Sequence, residues 1–239
     1  MSREAILART FVQLADSLVA EFDVVEVLTV LADRCVALLD VDAAGLMLAG
    51  PEGHLRVMAS SSEQMRLLEL FEIQADEGPC LDAWRRGLPV VDQVLADSQE
   101  RWPVFTPVAV DHGFAMVHAL PMRLRGVVIG ALNLFSQDER PLPTTDADVA
   151  QALADVATIA VLQHRAAEQA QVLNDQLHHA LNSRICIEQA KGIVAEHLGL
   201  DMEQSFAHLR GYARSNNRRL AEVAQDVIDG ALAPATLRT

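Results

Sequence analysis

The sequence predicts an α+β domain with a central antiparallel sheet flanked by helices, joined by a long helix to an all-α three-helix bundle. Three observations predict it. Ala115 to Leu124 and Val127 to Phe135 form an apolar pair joined tightly through Arg125-Gly126, the pattern of a long antiparallel hairpin. No Gly or Pro occurs between Pro143 and Gly192, which allows an unbroken helix. The segment after it carries two further helical periods behind polar caps. With 239 residues and 51% apolar side chains, the chain can bury a core and accommodates one large domain or two small ones.

The elements follow in order. Ile6, Leu7, Phe11, Leu14, Leu18 and Val19 recur at helical spacing, and a second helix starts behind Asp23 and runs through Val27, Leu28, Leu31, Cys35 and Leu38. Ala43 to Ala49, a Gly50-Pro51-Glu52-Gly53 turn and the alternating His54 to Ser60 read as a β-hairpin. Ser61 to Ile73 is predicted helical. A short helix starts at Pro79, where the missing N–H costs nothing, and stops at Gly87; a strand follows around Val90. Residues 92–113 are irregular or weakly helical. Thr145 with Asp148 resembles a capping box for the long helix, which at some 45 residues would extend about 70 Å.

No small domain buries such a length. Val149, Leu153, Val156 and Ala160, and later Leu173, Leu177 and Ala180, recur in steps of three and four, so exposed apolar stripes are expected to pair with a second copy in a coiled coil. Asp201 with Gln204 caps a helix carrying Phe206, Leu209, Tyr212 and Ala213. Asn217 is expected to cap the last, with Leu220, Val223, Ala224, Val227, Ile228 and Ala231.

Charge is unevenly distributed. The net charge is −14, yet residues 173–239 hold 7 basic and 8 acidic side chains against 12 and 25 in residues 1–172. Arg210, Arg214, Arg218 and Arg219 fall within ten residues free of acid, a local positive patch. Lys191 is the chain's one lysine. It precedes Gly192, so there is no G-x-x-x-x-G-K loop, and G-x-G-x-x-G, H-E-x-x-H and G-x-S-x-G are also absent. The reading is a non-enzymatic, cytosolic protein: the apolar stretches fall far short of the roughly 20 residues that cross a bilayer.

Cys35, Cys80 and Cys186 form no close pair and read as free thiols. Cys80, near the start of a short helix, is either a thiol whose pKa the helix lowers, suited to redox or ligand sensing, or a small buried apolar residue. His112 and His118 lie near the sheet and read as satisfied or exposed histidines before haem ligands, and no cofactor is assigned. Arg184, Glu188 and Lys191, spaced by four and three, share one helix flank with Gln189 and Ala190 alongside. Such a flank either contacts phosphates and unstacked bases or forms an internal pair through Glu188.

Ala180 to Gly192, with Glu188-Gln189-Ala190-Lys191-Gly192 at its centre, then Ser205-Phe206, Leu209-Arg210, Tyr212-Ala213-Arg214, Asn217, Leu220 and Val223-Ala224, closely resembles the ANTAR domain, the RNA-binding module of transcription antitermination regulators. Gly78-Pro79-Cys80-Leu81, Leu120-Pro121-Met122-Arg123 and Gly130-Ala131-Leu132-Asn133-Leu134-Phe135 are similar to motifs of GAF domains attached to such modules. The resemblance implies a GAF-like sensory domain at 5–140, a connecting and dimerisation helix at 144–180 and an ANTAR RNA-binding domain at 173–232. It implies a homodimer that binds stem-loops in leader transcripts under control of a small-molecule or redox signal. Arg184, Gln189, Ala190, Lys191, Arg210, Ala213, Arg214 and Asn217 are the implied RNA surface. The missing lysine before residue 191 removes a receiver-type phosphorylation site and the Asn-Lys-Phe-Asp-Glu pattern of cyclic-nucleotide-binding GAF domains. The alternatives are a thiol-based GAF reductase or redox sensor, or a dimeric DNA-binding or interaction protein.

Overall fold

The computed structural model describes residues 2–16 and 23–237. The chain divides into two compact units, Met1–Ala166 and Ala167–Thr239. The first holds helices α1 (Arg3–Asp16) and α2 (Val24–Leu39), strands β1 (Ala43–Ala49) and β2 (Leu55–Ser60), helices α3 (Glu63–Ala75) and α4 (Pro79–Arg86), strand β3 (Val90–Val94), helix α5 (Phe105–Asp111), strands β4 (Met116–Leu124) and β5 (Val127–Ser136), and the first part of α6 (Thr144–Leu198). The second holds the rest of α6, then α7 (Met202–Ser215), α8 (Leu220–Ile228) and a final 3-10 turn, Pro234–Leu237. Of the apolar positions expected on the first helix, Leu18 and Val19 lie outside the described residues.

The sheet runs β2-β1-β5-β4-β3, every neighbouring pair antiparallel. The predicted hairpins β1–β2 and β4–β5 are both present, and β5 sits between β1 and β4. Because strand side chains alternate, the sheet has two faces, and both are buried. On one, Leu46, Leu48, Leu120, Met122, Leu132 and Leu134 meet Leu14 of α1, Leu28, Leu31 and Cys35 of α2, and Ala150, Leu153, Ala154, Ala157 and Val161 of α6. On the other, Ala43, Met47, Val117, Ala119, Ala131 and Phe135 meet α3, α4 and α5 together with Trp102. Small alanines on α6 allow that helix to lie close against its core neighbours.

The caps explain where elements start and stop. Asp23 accepts from Val25 N at 2.8 Å and Ser62 accepts from Met65 N at 3.1 Å, each satisfying a backbone donor that the first helical turn leaves free. Gly87 ends α4 in the left-handed region (φ 64). Residues 105–111, within the stretch read as irregular or weakly helical, form the short helix α5. The capping box expected at Thr145 is not formed: α6 begins at Thr144, directly behind Pro143, and the Thr145 hydroxyl turns to Asp146 at 3.4 Å. Gly192 does not stop α6, which continues six residues beyond it to Leu198; one glycine costs a helix only about 1 kcal/mol relative to alanine, less than the packing around it returns.

Two glycines give opposite expectations. A Cβ on Gly130 of β5 would lie 2.0 Å from the Met47 carbonyl oxygen of β1, so Gly130→Ala should destabilise the first unit by about 1–3 kcal/mol. A Cβ on Gly192 meets nothing within 4 Å, so Gly192→Ala should stabilise the second unit by about 0.5–1 kcal/mol. Urea unfolding of the two variants checks both signs.

Candidate nucleic-acid interface and the buried sensor core

In the second unit the three-helix bundle encloses Ala190 and Val194 of α6, Leu209 and Ala213 of α7, and Val223, Ala224 and Val227 of α8. The predicted capping box opens α7: Asp201 Oδ1 accepts from Gln204 N at 2.7 Å, and Gln204 Oε1 accepts from Asp201 N at 3.2 Å. The expected cap of the last helix is displaced. Arg219 occupies the N-cap of α8, while Asn217 adopts a left-handed conformation (φ 51) in the α7–α8 turn, a backbone state that asparagine tolerates better than most residues.

Two of the residues implied as RNA contacts lie elsewhere. Ala190 is fully buried and Ala213 is 4% exposed; both sit in the bundle core, where a small side chain lets helices approach, and neither presents a surface to a ligand. Arg184, Gln189, Arg210, Arg214 and Asn217 are exposed. Glu188 forms an internal pair with Lys191, both carboxylate oxygens accepting from Nζ at 2.9 Å. Arg218 pairs with Asp226 at 2.7 Å. Among the described residues, Arg184, Arg210, Arg214 and Arg219 have no ion-pair partner, and Lys191 and Arg210 approach one ring, that of Phe206, at 5.7 and 5.9 Å. On a chain of net charge −14, cations without acidic partners give this surface a locally positive potential.

The first unit holds an arrangement that sequence reasoning missed. Glu69 and Glu72, one turn apart on α3, are fully buried. Cross-strand register lines up Ser60, Gly45, Asn133 and Ala119 in one row across β2, β1, β5 and β4, and the two acids lie over that row. Glu69 accepts from the Ser60 hydroxyl at 2.5 Å; a Cβ on Gly45 would fall 2.2 Å from its Oε1, so glycine there makes room for the carboxyl. Glu72 accepts from Cys80 N at 2.7 Å, Leu81 N at 3.3 Å and Asn133 Nδ2 at 3.1 Å. It therefore caps α4 from another helix, because Gly78 at the N-cap position has no side chain to do so. Gly78 (φ 144) also leaves the space that Glu72 fills, since a Cβ would lie 2.5 Å from Glu72 Cγ. The detectable sequence signals were a glycine and an asparagine inside otherwise apolar strands.

Burial dominates the electrostatics of this cluster. Desolvation pushes Glu72 up to about 8 against the pull of its three donors, and raises Glu69 well above the usual carboxylate range against the single bond from Ser60. Cys80 is fully buried, and desolvation, reinforced by the neighbouring glutamates, raises its thiol well above the ordinary value. Of the two readings of Cys80, the buried apolar one fits, and any lowering from the start of α4 is overridden because loss of water outweighs one short helix. Cys35 is buried in the core and pushed up to about 12 by the same cause, while Cys186 is half-buried and bonds Gln225 Oε1 at 3.2 Å. His118 accepts from Asp92 N at 3.0 Å through Nδ1, and burial lowers its pKa; His112 bonds the Val108 carbonyl at 2.8 Å. No group of three His, Cys, Asp or Glu among the described residues has a geometry suited to a metal ion, and no described helix is long and apolar enough to cross a membrane.

Comparison with known proteins agrees with this division of labour. The GAF domain family model matches residues 23–162, more than half the chain, and the chain belongs to that family. The ANTAR domain model matches residues 175–228. GAF domains are sensory and ANTAR domains bind RNA in antitermination control, so the pair of domains is a regulatory one. No curated protein sequence matches the chain. Similar folds include the GAF domain of a phosphoenolpyruvate-protein phosphotransferase from Coxiella burnetii, with a TM-score of 0.53, 16% identity, and coverage of 70% of this chain and 99% of that one. The phycoerythrobilin-bound GAF domain of a cyanobacterial phytochrome gives 0.53, 16%, 70% and 98%. Free methionine-R-sulfoxide reductase from Neisseria meningitidis, in complex with its substrate, gives 0.52, 20%, 70% and 95%. At such identities the likeness is one of fold.

The acid pair yields a pH dependence with a defined sign. Both groups hold protons more tightly folded than unfolded, so the native state binds more protons across the interval between their folded and unfolded pKa values. The contribution of Glu72 is complete below about 4.5 and is lost as pH rises through about 8, and that of Glu69 is lost in the same direction. Thermal melting from pH 5 to 8.5 should therefore show the first unit losing stability more steeply in the native protein than in Glu69→Gln. Identical slopes would place the proton elsewhere.

Proposed function

We propose that this protein is a homodimeric transcription antitermination regulator in which the GAF sensor, residues 5–140, governs binding of paired ANTAR modules, residues 173–232, to stem-loops in leader transcripts. The observation that carries the reading is the ANTAR match over 175–228 on a bundle whose surface keeps Arg184, Arg210, Arg214 and Arg219 without ion pairs among the described residues. Arg184, Lys191, Arg210 and Arg214 hold the RNA backbone, while Gln189 and Asn217, both exposed, offer amides to the edges of looped-out bases. Looped bases are unstacked, so a shallow helical surface can reach them. One bundle with few cations binds weakly; two linked bundles engaging two hairpins gain by effective concentration.

Pairing of two copies through residues 144–180 supplies that linkage. Residues 166–182 of α6 are exposed throughout, and along α6 Leu173, Leu177, Leu181 and Ile185 are 59%, 70%, 55% and 48% exposed. They recur every four residues, an apolar stripe that a second helix would cover. A small molecule taken up by the GAF domain acts on RNA binding by changing how the two α6 helices pair, because α6 is the covalent connection between sensor and bundle. A thiol-based reductase draws no support from Cys80, whose thiol is buried and held protonated.

Two experiments test the reading. Lys191→Glu should weaken binding to a leader RNA of two tandem hairpins and lower the slope of log affinity against log salt by about one without unfolding the protein; equal binding at every salt concentration removes Lys191 from the site. Leu177→Glu should convert a dimer to a monomer in sedimentation equilibrium and reduce affinity for the two-hairpin RNA far more than for a single hairpin. A wild-type chain that is monomeric with RNA present refutes the paired arrangement, and equal affinity for duplex DNA and hairpins favours a DNA-binding role.

A further inference from the structure

The chain's one lysine and an arginine from a different helix meet on a single aromatic ring. Lys191 Nζ, carried by α6, lies 5.7 Å from the ring centroid of Phe206, and the Arg210 guanidinium carbon, one turn further along α7, lies 5.9 Å from it. Phe206 is half-buried and is not among the side chains that form or line the bundle core. Apolar burial therefore does not account for a large aromatic here. Only Tyr212 is also aromatic in residues 167–239.

Both cations lie within cation–π reach of this ring, and the bundle supplies Glu188 to only one of them. The negative face of an aromatic ring attracts both at once without neutralising either, which a carboxylate cannot do. A cation held by a ring keeps its charge available to a third group; a cation held only by a carboxylate must first surrender that partner. The Lys191 side chain is 16% exposed, so its position is set by these neighbours and not by free rotation in water.

We propose that Phe206 is the positioning residue of the RNA-binding surface. Its ring holds Lys191 and Arg210 side by side so that they grip the RNA backbone as one clamp, and Lys191 exchanges Glu188 for a phosphate while keeping its place on the ring. This rests on the RNA-binding reading given above and adds to it a residue that touches the ligand only through its two partners.

The single lysine makes the test direct. In full-length protein labelled with 13C-lysine, one set of side-chain signals reports Lys191 alone. The ε-methylene should resonate upfield of free lysine in the native protein, return to the free position in Phe206→Leu, and stay upfield in Phe206→Tyr. With a synthetic RNA of two tandem hairpins, Phe206→Leu should bind roughly fivefold to tenfold more weakly with a salt slope lower by about one, and Phe206→Tyr should bind like the native protein. If Phe206→Leu fails to fold, pentafluorophenylalanine at position 206, of the same shape but with an electron-poor face, should reproduce the loss. A lysine signal at the free position in the native protein, or native affinity and slope for the leucine or fluorinated variant, overturns the clamp while leaving the RNA reading intact. No preference of the native chain for hairpin RNA over duplex DNA overturns both.

Discussion

One helix supplies side chains to two separate hydrophobic cores, and the rest of the molecule depends on that constraint. Ala150, Leu153, Ala154, Ala157 and Val161 of α6 are buried against the sheet; Ala190 and Val194 are buried among α7 and α8. Neither unit is complete without its part of α6. Between the two buried faces the helix is exposed on every side, so nothing among the described residues covers its apolar stripe. A helix in water without a packed face is marginal on its own, and the pairing proposed above rests on that.

The sensor core is organised around a cost that apolar packing does not explain. Two carboxyl groups fully removed from water are expensive. The fold offsets this for Glu72 with three donors, two of them backbone N–H groups at the start of α4 that would otherwise lack acceptors. Glu69 has one donor, and among the described residues its Oε1 and Asn133 Oδ1 have no hydrogen-bond partner. The pair is therefore both a fastening, tying α3 to α4 and β5, and a locus where one proton changes the charge inside the domain. Gly45 and Gly78 are structural requirements of that fastening, since a methyl group at either position meets a carboxyl side chain.

In the bundle, charge arrangement and packing are separated by helix face. The alanines of the Glu-Gln-Ala-Lys-Gly and Tyr-Ala-Arg segments point inward and the cations outward. Motif residues therefore divide into those that bring the helices together and those left on the surface, a division that linear proximity conceals. Glu188 and Asp226 each hold one cation, so the internal acids neutralise only part of the positive charge on this face.

The helices, both hairpins and the two-part organisation were legible in the sequence because each follows from local periodicity, from caps such as Asp23 and Asp201, and from the long absence of Gly and Pro. Lys191 and the arginines were legible as a cationic patch for the same reason: charge and helical spacing are local properties. Placement within the tertiary structure decided the rest. Ala190 and Ala213 turned out to be core and not surface, Cys80 acquired a thiol pushed up and not down, Asn217 gave the cap position to Arg219, and Glu69, Glu72, Asn133 and Phe206 gained partners up to 61 residues away. Burial and pairing depend on which strands and helices become neighbours, and a one-dimensional pattern carries no measure of that distance.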